Sequence, residues 1–257
     1  MRSLWSGSIS FGLVNIPIKL YSAIQSGSLD LDMLDKKDHS NIQFKRVNEK
    51  TGKEVAWDNI VKGYKVDNQY VILTDEDFKK ASPEKTKTID ITEFVKVEEV
   101  SPIYYDSAYY IEPEKNGAKA YVLLRDSLVK AKKAAIGSFV LRNKENLCLI
   151  SPSENILVLH KIRFAEEVRS TEDIKVPDSK VSTAEINMAI KLIDQLSSKF
   201  DISDFKDTYT ETLLKFIKAK AKGKKFTTPK MRVVHSGAKD LMSELKASLS
   251  HTKRKAS

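Results

Sequence analysis

The chain has a single cysteine, Cys148, among its 257 residues. A lone thiol excludes an intramolecular disulfide and any cysteine-rich zinc cage, and it suits a reducing compartment such as the cytosol. No run of about 18 uninterrupted apolar residues occurs. The apolar start from Met1 to Leu20 is broken by serines, glycines, Asn15 and Pro17 and lacks a small-residue cleavage site. The expectation is a chain that neither spans a membrane nor is secreted. There is no Gly-rich phosphate loop of the Walker type and no GxSxG. The histidines His39, His160, His235 and His251 share no spacing that fits a metal site. The carboxylates Asp30/Asp32, Glu98/Glu99 and Asp201/Asp204/Asp207 resemble nuclease metal ligands only loosely. Each group lies in a charged segment where a solvated face is the simpler reading. Cys148 sits in the apolar run Leu147-Cys148-Leu149-Ile150, which reads as an inert core thiol. No catalytic residue, metal or cofactor is expected.

What is present is enough apolar material, 41%, to bury the core of one large or two small domains. Charge is plentiful but uneven. Residues 1–214 carry 31 basic and 33 acidic side chains, whereas residues 215–257 carry 13 basic and 2 acidic. All of the net charge of +9 therefore comes from the last 43 residues. A solubilising tail has no need to avoid Asp and Glu, whereas a phosphate-binding one does, so the pattern favours nucleic acid. An anionic membrane surface is less well served, because the tail lacks the Trp/Phe face of an interfacial helix.

From Trp5 to Leu13 the odd positions read Trp, Gly, Ile, Phe, Leu and the even ones Ser, Ser, Ser, Gly. A period of two predicts a strand with one buried face. Further strands are predicted at Ile16–Tyr21, Gln43–Val47, Tyr70–Leu73 after an Asp67-Asn68 turn, Thr92–Val97 and Tyr104–Ile111. Ala118, Tyr121, Leu124, Leu128 and Val129 follow helical spacing. A meander follows at Ile136–Arg142, Leu147–Ser151 and Ile156–Phe164, with turns at Asn143–Asn146 and Pro152–Asn155. After Pro177 the pattern is helical. Ser182 with Glu185 forms a capping box ahead of Ile186, Ala189, Ile190, Ile193 and Leu196, and a second helix spans about Asp207 to Lys222, ended by Gly223. Lys224 to Lys239 reads as flexible. Leu241, Met242, Leu245 and Leu249 then form an amphipathic stripe that needs either a partner or a place on its own barrel. The class is α+β, mainly β: a barrel with helical additions rather than a doubly wound fold.

Basic residues in the balanced part fall into three groups. Lys36, Lys37, Lys45, Arg46, Lys62 and Lys65 form one, Arg125, Lys130, Lys132 and Lys133 a second, and Arg142, Lys144, Lys161 and Arg163 a third. Singly, each is an ordinary surface residue. As groups beside a polyanion-seeking tail they are candidate phosphate contacts. No zinc finger, helix-turn-helix or RRM-type stacking platform accompanies them, so base-specific readout is not expected.

The opening MRSLWSGSISFGLVNIPIKLYSA resembles the start of the bacterial Ku proteins of non-homologous DNA end joining. Similar matches recur in order at VKGYKVDNQYVILTDEDF, TIDITEFVKVEEVSPIYYDSAYYIEP, KAYVLLRDSL, FVLRNKENLCLI, RFAEEVR, DTYTETLLKFIKAKAKGK and DLMSELKASL. The resemblance implies an antiparallel β-barrel core with an extended arm, closing as a homodimer into a ring that threads double-stranded DNA ends. It implies a non-enzymatic, cytoplasmic, nucleoid-associated protein that recruits an ATP-dependent DNA ligase. On that reading residues 1–180 are the barrel and arm, 181–222 a helical segment for packing or dimerisation, and 223–257 a Lys-rich tail. Leu241, Met242, Leu245 and Leu249, within about 238–250, would bind the ligase, and Lys253, Arg254 and Lys255 would touch DNA. Many members carry a CxxC pair just after the segment matching FKRV, where this chain has Asn48, Glu49, Lys50 and Thr51. A zinc or redox role for that pair is therefore not expected here. Two other functions compete: an architectural nucleoid protein that needs no DNA end, and a metal-dependent nuclease using Asp201, Asp204 and Asp207.

Overall fold

Ile9 sits with no exposed surface at the centre of β1 (Trp5–Phe11), and the same alternation buries Ile16, Ile18 and Leu20 in β2 (Val14–Ser22). The computed structural model describes residues 1–81, 87–141, 144–224, 245 and 248. They form two compact units. One comprises Met1–Ser26 with Asp30–Ser170, the other Gly27–Leu29 with Thr171–Ser257.

The first unit is built on a closed barrel of β1, β2, β5 (Thr88–Val95), β6 (Tyr105–Pro113), β7 (Ala134–Leu141), β8 (Lys144–Ser153) and β9 (Ile156–Ile162), in the order β1-β2-β6-β9-β8-β7-β5. A ring in which every strand runs opposite to both neighbours needs an even number of strands. With seven, one seam must be parallel, and it is β1–β5, paired from Ser8–Thr88 to Ser10–Asp90. The other six seams are antiparallel. Helix α2 (Ala118–Ala131) lays Tyr121, Leu124 and Leu128 onto the barrel core. The Tyr121 hydroxyl donates to the Ile111 carbonyl at 2.8 Å and accepts from the Leu157 amide at 2.7 Å, so one buried side chain ties α2 to two strands. Trp5 donates its indole N–H to the Val140 carbonyl at 3.2 Å and meets Phe139 edge-on at 6.1 Å. Gly137 is required: a Cβ there would lie 2.5 Å from the Asp90 carbonyl oxygen, where β5 bulges between Ile91 and Glu93.

Between β2 and β5 the chain adds a two-stranded hairpin, β3 (Lys62–Val66) and β4 (Gln69–Leu73), and a short helix α1 (Asp75–Ala81). Asp67 and Asn68 take φ of 42° and 71° and make the tight turn predicted for them. None of the described residues from 21 to 88 is buried. In the second unit α3 (Thr183–Leu196) carries the expected capping box, with Ser182 N–H donating to Glu185 at 2.8 Å and Glu185 N–H to the Ser182 hydroxyl at 3.3 Å. Helix α4 (Thr208–Ala221) is capped by Asp207, which accepts from the Thr210 amide at 2.9 Å, and Gly223 follows it at φ 67°.

The structure departs from the sequence reading in several places. Leu13, expected on the buried face, lies in the Gly12-Leu13 turn, where the positive φ of Gly12 reverses the chain and leaves Leu13 fully exposed. Gln43–Val47 forms no strand: only isolated bridges Leu34–Asn41 and Val47–Glu54 occur there, because no neighbouring strand is available to extend them. Strand β3 was hidden by its lysines, and α1 by its seven-residue length. A Thr74/Asp77 capping box marks the start of α1, with Thr74 N–H donating to Asp77 at 2.9 Å. The turns expected at Asn143–Asn146 and Pro152–Asn155 are both shorter, because Lys144, Glu145 and Asn146 pair with β7 and Pro152 and Ser153 with β9, all within β8. Arg142, Asn143, His235, His251, most of the 224–239 segment, and Leu241, Met242, Leu249, Lys253, Arg254 and Lys255 lie outside the described residues. Leu245 is helical and partly buried.

His160 on β9 is half-buried with its ring edge-on to Tyr105 at 5.3 Å, and loss of hydration pushes its pKa below the usual imidazole value. The unfolded chain therefore takes up this proton more readily than the fold does. The resulting stability is present above about pH 6.5 and is lost as pH falls. The melting temperature is expected to decline between about pH 6.5 and 5, and His160→Phe to flatten that decline. An unchanged pH slope in the variant would show that the imidazole is not desolvated.

Candidate nucleic-acid interface

The three basic groups differ in what they are free to do. In the first, Lys36 and Lys37 project from a turn in which Asp35 accepts from the Lys37 amide at 2.7 Å and His39 takes φ 60°. Lys45 pairs with Glu54 at 2.7 Å, the Arg46 guanidinium lies 4.3 Å from the Trp57 ring centroid, and Lys62 lies 4.7 Å from that of Phe78. Lys62 and Lys65 are three apart on β3 and so point to opposite faces.

In the second group, Arg125 is bound to Asp126 and donates to the Asn155 carbonyl, both at 2.8 Å. Lys132 closes α2 in the left-handed conformation at φ 54°, and Lys133 donates to the Phe94 carbonyl at 3.3 Å. The third group is brought together and internally paired. Lys161 and Arg163 on and just after β9 reach Asp106 on β6 at 2.7 and 3.2 Å, and Lys144 reaches Glu167 at 3.3 Å. Arg163 also donates to the carbonyls of Ile103 and Tyr105. The hydrogen bond from Lys161 holds the Asp106 carboxyl below the usual carboxylate range, helped by the charges of Lys161 and Arg163 and opposed by burial. Among the described residues, Lys36, Lys37, Lys65, Lys130 and Lys132 make no ion pair or side-chain hydrogen bond.

A barrel with cations on its strands and on a solvent-exposed insertion is matched by a family model. The model describes the Ku70/Ku80 beta-barrel domain and aligns with residues 10–188. The chain belongs to the Ku family. It is 40% identical over 259 residues to the "Non-homologous end joining protein Ku" of Bacillus subtilis, covering 99% of this chain and 83% of that one. The protein of the same description from Archaeoglobus fulgidus is 40% identical over 261 residues, covering 98% of this chain and 100% of its own. Among solved structures, the SPOC domain of human PHD-finger protein 3 aligns with a TM-score of 0.31 at 11% identity, over 63% of this chain and 97% of that one.

Where this Ku chain departs from the CxxC pattern, its turn is closed by an amide. The Asn48 side-chain oxygen accepts from the amides of Lys50 and Thr51, each at 3.0 Å, and the Gly52 amide donates to the Asn48 carbonyl at 2.8 Å. Of the carboxylates considered as nuclease ligands, Glu99, Asp201 and Asp207 are local caps. Asp201 accepts from the Ser203 amide at 2.9 Å, and hydrogen bonds from Thr210 hold the Asp207 carboxyl below its usual range. Among the described residues no three His, Cys, Asp or Glu side chains gather in a way that could hold a metal ion. Burial pushes the Cys148 thiol up to about 12, in keeping with an inert core residue. No helix among the described residues is long and apolar enough to cross a membrane.

Asp106 is the residue that sequence reading missed: its value lies in facing Lys161 and Arg163 across a strand pair, and register is invisible without the fold. Asp106→Asn is expected to lower stability by about 1 kcal/mol, with the loss concentrated above about pH 4, where the wild-type carboxylate is charged. Chemical denaturation at pH 7 and pH 3 checks this. An equal loss at both values would show that the ion pairs contribute nothing.

Proposed function

We propose that this chain binds the ends of double-stranded DNA, without sequence preference and without catalysis, as a homodimeric ring in non-homologous end joining, and that it passes the end to an ATP-dependent DNA ligase. The observation that carries the reading is the stretch between β2 and β5. It belongs to a chain whose relatives are named for end joining, yet none of its described residues is buried. Tyr64 and Tyr70 on its hairpin are each 69% exposed, and Phe44 and Trp57 are 79% and 68% exposed. A two-stranded hairpin is marginal in water by itself. A second copy that covers these apolar residues would leave the cations free to follow a phosphate backbone.

The proposed organisation keeps residues 1–180 as barrel and arm, 181–222 as the helical segment, and 223–257 as the tail, with ligase docking on the Leu241/Met242/Leu245/Leu249 stripe. A ring recognises a duplex by its fixed diameter and its charge, which accounts for a site with no base-reading motif. The protein would work in the cytoplasm on nucleoid DNA. A second reading is supported by the surplus of 13 basic over 2 acidic residues after residue 214: a coating protein that binds internal DNA through charge alone.

A gel shift of one plasmid, linear against covalently closed, with short duplex competitor, separates the two. The linear form is expected to bind and the closed circle not, with binding abolished when both ends carry bulky blocks. Equal binding of the closed circle would replace the ring with the coating reading. In the tail, replacing Lys253, Arg254 and Lys255 by Gln is expected to weaken binding to every sequence alike, lowering the salt slope by about 0.9 per lost contact. An unchanged slope would remove the tail from the interface.

A further inference from the structure

Helix α4 has two unlike sides. At 100° per residue, Tyr209, Leu213, Leu214, Phe216 and Ile217 occupy one broad arc, interrupted by Lys220, while Lys215, Lys218 and the C-cap residue Lys222 fall within about 60° of one another on the other side, with Glu211 among them. All three lysines are exposed. They extend over about 10 Å of helix axis, a length along which B-form DNA presents about six phosphate charges. Asp207 at the start and Gly223 after the end make this stripe a rigid element of defined length.

Lys218 and Lys222 make no ion pair or side-chain hydrogen bond among the described residues. Lys215 pairs with Glu211 at 2.6 Å, but the two side chains are 62% and 58% exposed. An exposed pair of this kind is weak and yields readily to a phosphate. From Glu211 to Asp240 the sequence has nine Lys or Arg and no intervening carboxylate. The helix dipole favours cations in the last turn alone, so it explains neither the alignment of Lys215 with the other two nor the absence of acids beyond the helix.

We infer that Lys215 and Lys218 of α4, with its C-cap residue Lys222, form a backbone-contacting surface for duplex DNA, separate from the candidate cations of the barrel and from the terminal Lys253-Arg254-Lys255 run. The inference rests on the DNA-binding reading above. The lysine stripe lies on the side of α4 away from the centre of the apolar arc, whose Tyr209, Leu214, Phe216 and Ile217 are themselves exposed. The contact carries affinity but no sequence information.

The test uses the full chain carrying K215Q, K218Q and K222Q together, and a control carrying K180Q, K191Q and K199Q, which removes the same charge from exposed lysines of the same unit. Affinity for a short linear duplex is measured across a salt series. The α4 variant is expected to lose roughly 2 to 3 from the slope of log affinity against log salt, at about 0.9 per contact, with the control near wild type. An unchanged slope in the α4 variant, or an equal drop in both, overturns the inference. Should the triple variant fold poorly by thermal melt, K218Q and K222Q singly are each expected to remove about 0.9 from the slope, and no change in either overturns it. Failure of the ring reading shows separately, as binding of closed circles by the wild-type protein.

Discussion

Closing seven strands into a ring forces one seam to be parallel, and the rest of the first unit is arranged around that seam. Strand β2 ends on one side of β1 and β5 begins on the other. The gap is two strand spacings across and about five residues along, close to 20 Å, which about six extended residues would bridge. The chain instead runs from Ala23 to Lys87 before it rejoins the barrel. Closure needs only a small part of that length. The surplus leaves the core untouched, since no described residue from 21 to 88 is buried, and it is therefore available for contacts outside the unit.

The barrel in turn supplies a platform stiff enough to hold charges in place. Ile9, Ile16, Ile18 and Leu20 are fully or almost fully enclosed, Tyr121 bonds α2 to two strands, and Asp106 bridges the cations of β9 to β6. This divides the basic residues by role. Those on the barrel wall, such as Lys161 and Arg163, are committed to carboxylates and carbonyls, whereas Lys36, Lys37, Lys65, Lys130 and Lys132 keep their ammonium groups toward water. Charge density alone does not separate the two kinds.

What could be read beforehand follows the same division. The β1–β2 pair, α2, the β7–β9 meander and both helices after Pro177 were legible because each has its own period or cap: Ile9 and Ile16 alternate with polar neighbours, and Ser182 lies three residues before Glu185. The insertion was poorly legible because its apolar residues are not arranged to meet a core in the same unit. Phe44, Val47 and Trp57 look like strand material and yet form almost no ladder. The candidate site was half legible. Residue type located the cations, but pairing across strands, as at Asp106, depends on register, which a single sequence does not carry.

The burial of Cys148 has a consequence for chemistry as well as for packing. The thiolate is the form that reacts with oxidants and with other thiols, and burial pushes the Cys148 thiol up to about 12, well away from that form at neutral pH. The chain has no other cysteine. Peroxide therefore finds no reactive sulfhydryl on it, and two copies cannot become covalently joined through sulfur while the barrel stays closed. Contact between one copy of this chain and another does not draw on this sulfur while the barrel stays closed.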